Sequence, residues 1–145
     1  MALPPGRSYR YYTGTPLFSF GQGMSYTEFG MSCIQRYAST NSFPMTITCT
    51  VINKGNVSGD EVVQLYHSAG KQIRAAATHP IPIKSLVDFQ RVSLQSQASV
   101  DVVFKVDETA FSLVTTDGTK TVYKGEHTMI LSRGVGYDEV LKVTI

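Results

Sequence analysis

The chain has 145 residues, of which 42% are hydrophobic and 17% are charged, and its formal net charge at neutral pH is +2. One domain of this size buries roughly 70% of the surface that its unfolded chain exposes, so the composition predicts a single domain with a core. The small charge and the scattered cations argue against a nucleic-acid partner, and no apolar run approaches the ~20 residues that cross a bilayer, so we also expect no membrane partner.

The N-terminal stretch GRSYRYYTGTPLFSFGQGMSY, from Gly6 to Tyr26, is rich in aromatic residues that follow neither a helical nor a strand period. Its glycines and its proline divide it into short pieces and turns. We therefore predict an irregular arm over residues 1–24 whose rings are covered by another part of the protein. Arginines beside tyrosines also resemble a base-stacking surface, but the scatter of positive charge disfavours that interpretation.

Strands follow the arm. Apolar residues alternate in SYTEFGMSCIQRYA (25–38) and in FPMTITCTV (43–51), which predicts two antiparallel strands, and a short polar loop covers Asn53 to Gly59. GDEVVQLYHSAG then predicts a strand with Val63 and Leu65 on one face and Val62, Gln64 and Tyr66 on the other.

The stretch KQIRAAATHPIPI contains two prolines, and its AAATH segment is too short for a convincing helix, so we expect an extended connection. Four further alternating segments, SLVDFQRVSL, ASVDVVFKVD, GTKTVYKGEHTMILSRG and DEVLKVTI, predict more strands. The pattern indicates an all-β fold: an immunoglobulin-like β-sandwich of about seven strands over residues 25–145.

The two cysteines are placed by the predicted hairpin. If the first two strands turn at Asn41, Cys33 lies opposite Cys49. A disulfide and two small buried thiols both fit that position. We favour the thiols, because the register is assumed and because immunoglobulin-type bridges usually join two sheets rather than neighbouring strands.

No group of residues indicates catalysis, a cofactor or a metal ion. His67, His79 and His127 occur in three unrelated settings, so a shared metal site is not expected. Asp60 and Glu61 are adjacent at the start of a strand, and their side chains diverge to opposite faces, as surface charges do. We therefore name no catalytic, cofactor-binding or metal-binding residue.

Three motifs resemble family 3 glycoside hydrolases, the β-glucosidases and β-xylosidases. The arm PGRSYRYYTGTPLFSFGQGMSYTEF is similar to the junction motif of that family, and NKGNVSGDEVVQLY and LVDFQRV resemble two motifs that follow it in the same order. The resemblance implies a C-terminal fibronectin type III-like domain, preceded by the tail of an α/β-sandwich domain. Asp88 stands where the family usually has glycine in the third motif.

In that family the nucleophile and the acid/base residue lie in other domains. The resemblance thus implies a non-catalytic accessory domain that supports and positions the catalytic domains of an exo-acting β-glycosidase. Those catalytic domains are the expected partners, and the resemblance alone implies an extracellular or lysosomal location. The residues expected at the interdomain contact are Arg10, Tyr11, Tyr12, Phe18, Phe20 and Tyr26.

Two alternatives remain open. The chain could act as a freestanding module that binds carbohydrate or protein through the arm, or it could hydrolyse glycosides itself, although no catalytic carboxylate segment is present. Without a neighbouring domain, the arm is expected to fold back over the sandwich, or to lie exposed and support weak self-association. The N-terminal MALPPG does not resemble a signal peptide.

Overall fold

The structure is a computed structural model that describes residues 5–37, 43–134 and 137–145. Nine strands, two short α-helices and one 3-10 helix occur within these residues. The helices are α1 (Ser8–Tyr11), α2 (Lys71–Ala76) and the 3-10 helix Glu108–Phe111. The strands are β1 (Phe29–Tyr37), β2 (Met45–Asn53), β3 (Gly59–Ala69), β4 (Ser85–Leu94), β5 (Ser99–Val106), β6 (Ser112–Val114), β7 (Lys120–Val122), β8 (Glu126–Ser132) and β9 (Asp138–Thr144).

Seven of these strands form the two antiparallel sheets of a sandwich. One sheet has the order β1-β2-β5 and the other has the order β4-β3-β8-β9. Alternate residues of both sheets point inward and form one core, in which the largest fully buried apolar side chains include Phe104, Phe111, Met45 and Ile47. The expected all-β sandwich of about seven strands is confirmed, and β6 and β7 form a separate two-stranded sheet.

The connection after β3 differs from its prediction. Lys71–Ala76 form a helix rather than extended chain, with Ile73 buried against Ala69 and Leu113. The Arg74 side chain donates hydrogen bonds to four backbone carbonyls, those of residues 69, 81, 82 and 83. Tertiary contacts of this kind stabilise a helix that is too short to form alone. The local sequence pattern contains no information about such contacts, so it did not predict the helix.

The pairing register of β1 and β2 is the predicted one, but the oxidation state of the two cysteines differs from the prediction. Cys33 lies directly opposite Cys49, with 4.1 Å between their Cα atoms, and the two form a disulfide. The preference for two free thiols was therefore wrong. Position 41, the expected centre of the turn, lies outside the described residues.

Asp88 adopts an ordinary strand conformation. The non-glycine residues with positive φ in the described chain are Ser8 and Gln97. The third motif therefore does not need the left-handed conformation that its usual glycine would permit, and aspartate causes no backbone strain there.

Candidate domain-docking surface

The N-terminal arm folds back on the outer face of β3. The rings of Tyr9 and Phe20 stack with 4.1 Å between their centroids, and both meet the ring of Tyr66 edge-on, at 5.9 Å and 6.4 Å. The Leu86 amide donates a hydrogen bond of 3.0 Å to the Tyr9 hydroxyl. Tyr66 is fully buried under this cover, although it lies on the face of β3 opposite the core residues Val63 and Leu65.

A second contact fixes the arm where it turns. The side-chain amide of Gln64 donates to the Gly21 carbonyl at 3.3 Å, and the Tyr66 hydroxyl donates to the Gln64 Oε1 at 2.6 Å. Gly21 has a φ of +81°, and a Cβ at this position would collide with the Gln64 amide. Glycine is therefore required for this close approach.

Four large apolar side chains between residues 17 and 26, at the end of the arm and just after it, face solvent instead. Met24 and Tyr26 are fully exposed, and Leu17 and Phe18 are 96% and 82% exposed. We call Leu17, Phe18, Met24 and Tyr26 the docking surface. Single exposed apolar residues are ordinary, but four within ten positions of one segment indicate an interaction surface.

The six predicted contact residues divide between these two sides. Phe18 and Tyr26 belong to the docking surface, and Phe20 is half exposed but stacks on Tyr9. Arg10 and Tyr12 are partly buried, Tyr11 is 38% exposed, and the Arg10 carbonyl accepts a hydrogen bond of 2.6 Å from the Ile83 amide. Their role in an interdomain contact remains a prediction.

An open groove of roughly 790 Å³ lies beside the docking surface. Residues 21–29 line it together with Arg91, Arg133 and Tyr137. Arg133 is the most deeply placed of these charged groups: its side chain is 5% exposed, and its guanidinium lies 4.5 Å from the centroid of the Tyr137 ring.

Three carboxylates line the groove, those of Glu28, Asp60 and Glu61, and the last two are each held by an arginine. The Arg91 Nε donates to the Asp60 Oδ2 at 3.0 Å, and the Arg133 Nη1 donates to the Glu61 Oε2 at 2.9 Å. Hydrogen bonds from Ser93 and Arg91 lower the pKa of Asp60 below its ordinary value. Asp60 thus stays ionised and paired, which does not fit the protonated acid that glycoside hydrolysis requires.

The sequence indicated three unrelated settings for the histidines, but the structure brings two of them together. His67 Nε2 lies 2.9 Å from His127 Nδ1, and both rings are buried beside Phe111. His79 is separate from this pair and bonds to the Tyr123 hydroxyl at 2.9 Å. Among residues 5–37, 43–134 and 137–145, no cluster contains the three or more side chains that could hold a metal ion.

Sequence reasoning missed several residues of this region. Leu17 and Met24 lie inside the junction motif that identified the six predicted residues, so the same motif could have indicated them. Tyr9 was not predicted to be the inner anchor of the arm, because its contact with Tyr66 depends on the path of the arm. Arg133 and Tyr137 are far from the arm in sequence and carry no local signal.

In the part of the chain that the structure describes, no helix has the length and apolar character needed to span a membrane.

Comparison with known proteins identifies the family. Residues 61–134, just over half of the chain, match the family described as the fibronectin type III-like domain. The chain is 36% identical over 124 residues to a probable β-glucosidase H of Aspergillus clavatus, covering 81% of this chain and 14% of that protein. It is 30% identical over 144 residues to a β-xylosidase of Formosa agariphila, covering 94% of this chain and 18% of that protein.

A solved structure gives the same result. The GH3 β-glucosidase of Bifidobacterium adolescentis matches with a TM-score of 0.74 and 29% identity, over 87% of this chain and 18% of that chain. The chain therefore spans less than a fifth of the length of these proteins. The resemblance seen in the three motifs is confirmed, and the chain belongs to the fibronectin type III-like domain family, in the form that β-glucosidases and β-xylosidases carry.

Proposed function

We propose that this chain is an accessory domain of a family 3 β-glycosidase, and that it braces and positions the catalytic domains through the docking surface. The observation that carries the proposal is that the arm is anchored on one side and exposes apolar side chains on the other. Its inner side is anchored on Tyr66, while its outer side presents Leu17, Phe18, Met24 and Tyr26 to solvent. An anchored segment with an exposed apolar side is suited to bind a second folded domain.

Two further facts support this function. The relatives named as a β-glucosidase and a β-xylosidase are more than five times as long as the part that this chain matches. Asp60 and Glu61 of the groove are paired with arginines, and an Asp60 whose pKa is lowered does not supply the protonated acid of hydrolysis. In this proposal hydrolysis of the glycosidic bond takes place in other domains of the parent protein.

The test compares this chain with the complete protein encoded by the same transcript. Both are incubated with an aryl β-glucoside and an aryl β-xyloside, and release of the aryl group is measured. We expect hydrolysis by the complete protein and a rate for this chain equal to that of a heat-inactivated control. Hydrolysis by this chain above the control, or a complete protein with no glycosidase activity, would contradict the proposal.

A second measurement tests the freestanding binding module, which the exposed Phe18 and Tyr26 rings also favour. This chain is titrated with gluco- and xylo-oligosaccharides by calorimetry. Saturable binding that is lost in the variant Tyr26→Ala would support the binding module in place of the accessory domain. We expect no saturable heat.

A further inference from the structure

We propose that Asn56 is a site of N-linked glycosylation, whose side-chain amide carries an oligosaccharide. Asn56-Val57-Ser58 is an asparagine acceptor triplet, in which serine stands two positions after the asparagine and the residue between them is not proline. The other asparagines of the chain, Asn41 and Asn53, are not followed by serine or threonine two positions later. This inference is independent of the proposed function, because it uses neither the docking surface nor the groove.

The triplet lies on the surface, in the loop that joins β2 to β3. Asn56, Val57 and Ser58 are all exposed, and Val57 is 50% exposed although it is apolar. An acceptor asparagine has to tolerate a bulky hydrophilic group in the folded protein. A glycan on Asn56 would extend into water and would displace no packed side chain.

The backbone on both sides of Asn56 is held by hydrogen bonds on the inner side of the loop. The Asn53 Oδ1 accepts from the Gly55 amide at 3.0 Å, and the Asn53 Nδ2 donates to the Val57 carbonyl at 2.8 Å. The Ser96 hydroxyl donates to the Gly55 carbonyl at 2.9 Å. A glycan on the outward side chain would leave these hydrogen bonds intact.

Asn53, three residues earlier, shows the opposite arrangement. Its side chain is fully buried, and its amide nitrogen already donates to the carbonyls of Val57 and Leu94. A side chain placed in this way has neither access to solvent nor a free N–H for a sugar. Of these two asparagines, the acceptor triplet therefore begins at the exposed one, an agreement that a triplet arising by chance does not require.

The disulfide between Cys33 and Cys49 is a second, separate indication. Disulfides persist in oxidising compartments, such as the lumen of the endoplasmic reticulum and the extracellular space, and are rare in the cytosol. Asparagine acceptor triplets are used on surface loops of secreted proteins. The disulfide and the triplet thus indicate the same route through different residues, and together they are stronger than a bare triplet.

The modification is a group transfer onto the amide nitrogen of Asn56. A bond forms between Nδ2 and the anomeric carbon of the first sugar, and the bond from that carbon to the phosphate oxygen of a lipid-linked oligosaccharide diphosphate breaks. Nδ2 loses one proton, the lipid diphosphate leaves with the electron pair, and no group is oxidised or reduced. Ser58 supplies the hydroxyl that the acceptor triplet requires two positions after the asparagine.

The first experiment uses the complete protein purified from its source organism. After reduction and alkylation, trypsin releases residues 55–71 as one peptide, in which Asn56 is the only asparagine. We expect this peptide mainly as a glycopeptide. Enzymatic release of the glycan in water labelled with oxygen-18 should leave it about 3 Da heavier than the unmodified peptide, because release converts the linked asparagine to aspartate.

Peptide 37–54 contains Asn53 and is the control in the same digest. It should have the same mass before and after the release step, because neither of its asparagines begins an acceptor triplet. Recovery of peptide 55–71 at its unmodified mass alone would overturn the inference.

The second experiment uses variants of the complete protein, secreted by a eukaryotic host that carries out N-linked glycosylation. Ser58→Ala retains Asn56 but breaks the triplet, whereas Ser58→Thr preserves it. We expect complete loss of the glycan from peptide 55–71 in Ser58→Ala and full retention in Ser58→Thr. Ser96→Ala removes a hydroxyl that contacts the same loop and should also retain the glycan. Glycan on peptide 55–71 of Ser58→Ala, or none there on the unchanged protein, would contradict the inference.

Discussion

His67 donates a hydrogen bond from Nε2 to His127 Nδ1, and the two buried rings are held in defined tautomers. His127 Nε2 lies 2.7 Å from the Tyr123 carbonyl oxygen, which can only accept a hydrogen bond, so the proton of His127 is on Nε2. Its Nδ1 is then the acceptor for His67. Both rings are neutral at pH 7, since burial lowers the pKa of each below its ordinary value.

The histidine pair predicts a loss of stability in mild acid. Burial, with smaller effects from His127 and Arg74, lowers the pKa of His67 from its ordinary 6.5 to about 4, and burial also lowers the pKa of His127. Between these values the unfolded chain binds more protons than the folded chain, so stability falls as the pH drops from 6.5 to 4 and is unaffected above 6.5. For His67 the loss is roughly 3 kcal/mol.

Urea unfolding at pH 7.0 and pH 4.5 measures this loss. We expect the variant His67→Gln to be less stable than the unchanged chain at pH 7.0 but to lose less stability between the two pH values. His79→Gln is the control and should keep the full pH dependence, because His79 is outside the pair. The same pH dependence in His67→Gln as in the unchanged chain would show that the pair is not responsible.

The disulfide predicts a second contribution to stability. The bridge joins residues separated by 16 positions, and closing a loop of this length lowers the entropy of the unfolded chain by an amount worth about 3 kcal/mol. We expect the double variant Cys33→Ala, Cys49→Ala to be less stable by about that much in urea, with some further loss because Cys49 is fully buried. A reducing agent should destabilise the unchanged chain and leave the double variant unaffected. A chain with no sensitivity to reduction would contradict the disulfide.

Asn53 explains one of the three motifs in physical terms. Its side chain is fully buried, donates to the carbonyls of Val57 and Leu94, and accepts hydrogen bonds from Thr27 Oγ1 and the Gly55 amide. This one amide therefore joins the β2–β3 loop to the segment just before β1 and to the end of β4. An aspartate at this position could accept hydrogen bonds but could not donate to the two carbonyls.

We expect Asn53→Asp to reduce the free energy of unfolding by about 2–4 kcal/mol, because it buries a charge and leaves two carbonyls without donors. Asn56→Asp makes the same chemical change three residues later at an exposed position and is expected to change stability by less than about 0.5 kcal/mol. Urea unfolding of both variants at pH 7 gives the comparison. Similar losses in the two variants would show that Asn53 is not the hub of this loop.

The sequence predicted the features that follow from a regular pattern along the chain, namely the strands and their inner faces. Alternation placed Val63 and Leu65 on the inner face of β3, and the position of the turn placed Cys33 opposite Cys49. It did not predict the burial of Tyr66 or the contact of His67 with His127. Those features depend on which distant segment covers a strand, and neither a period nor a spacing encodes that information.

The Tyr9 hydroxyl is predicted to hold the arm in place. It accepts the hydrogen bond of the Leu86 amide, and Tyr9→Phe would leave that amide without its partner while retaining the stack on Phe20. We expect a loss of about 1 kcal/mol in urea unfolding and faster cleavage of the arm by trypsin after Arg10. Tyr11→Phe is the matched control, two positions along the same helix, and should change neither measurement. Equal cleavage rates in the two variants would contradict this role of Tyr9.

The docking surface predicts weak self-association of this chain when no catalytic domain covers it. Four exposed apolar side chains in one segment lose contact with water when they pair with a second copy. A patch of this size is smaller than a stable interface needs. Association should therefore appear only at high protein concentration. Light scattering should therefore show an average mass that rises with concentration.

The double variant Phe18→Ser, Tyr26→Ser should remain monomeric over the same range, because it removes the two exposed rings. Val103→Ser, at a 42% exposed position on β5, is the control and should associate like the unchanged chain. Equal association of both variants would place the contact elsewhere, and a constant monomer mass for the unchanged chain would show that the outer side of the arm does not bind a second copy.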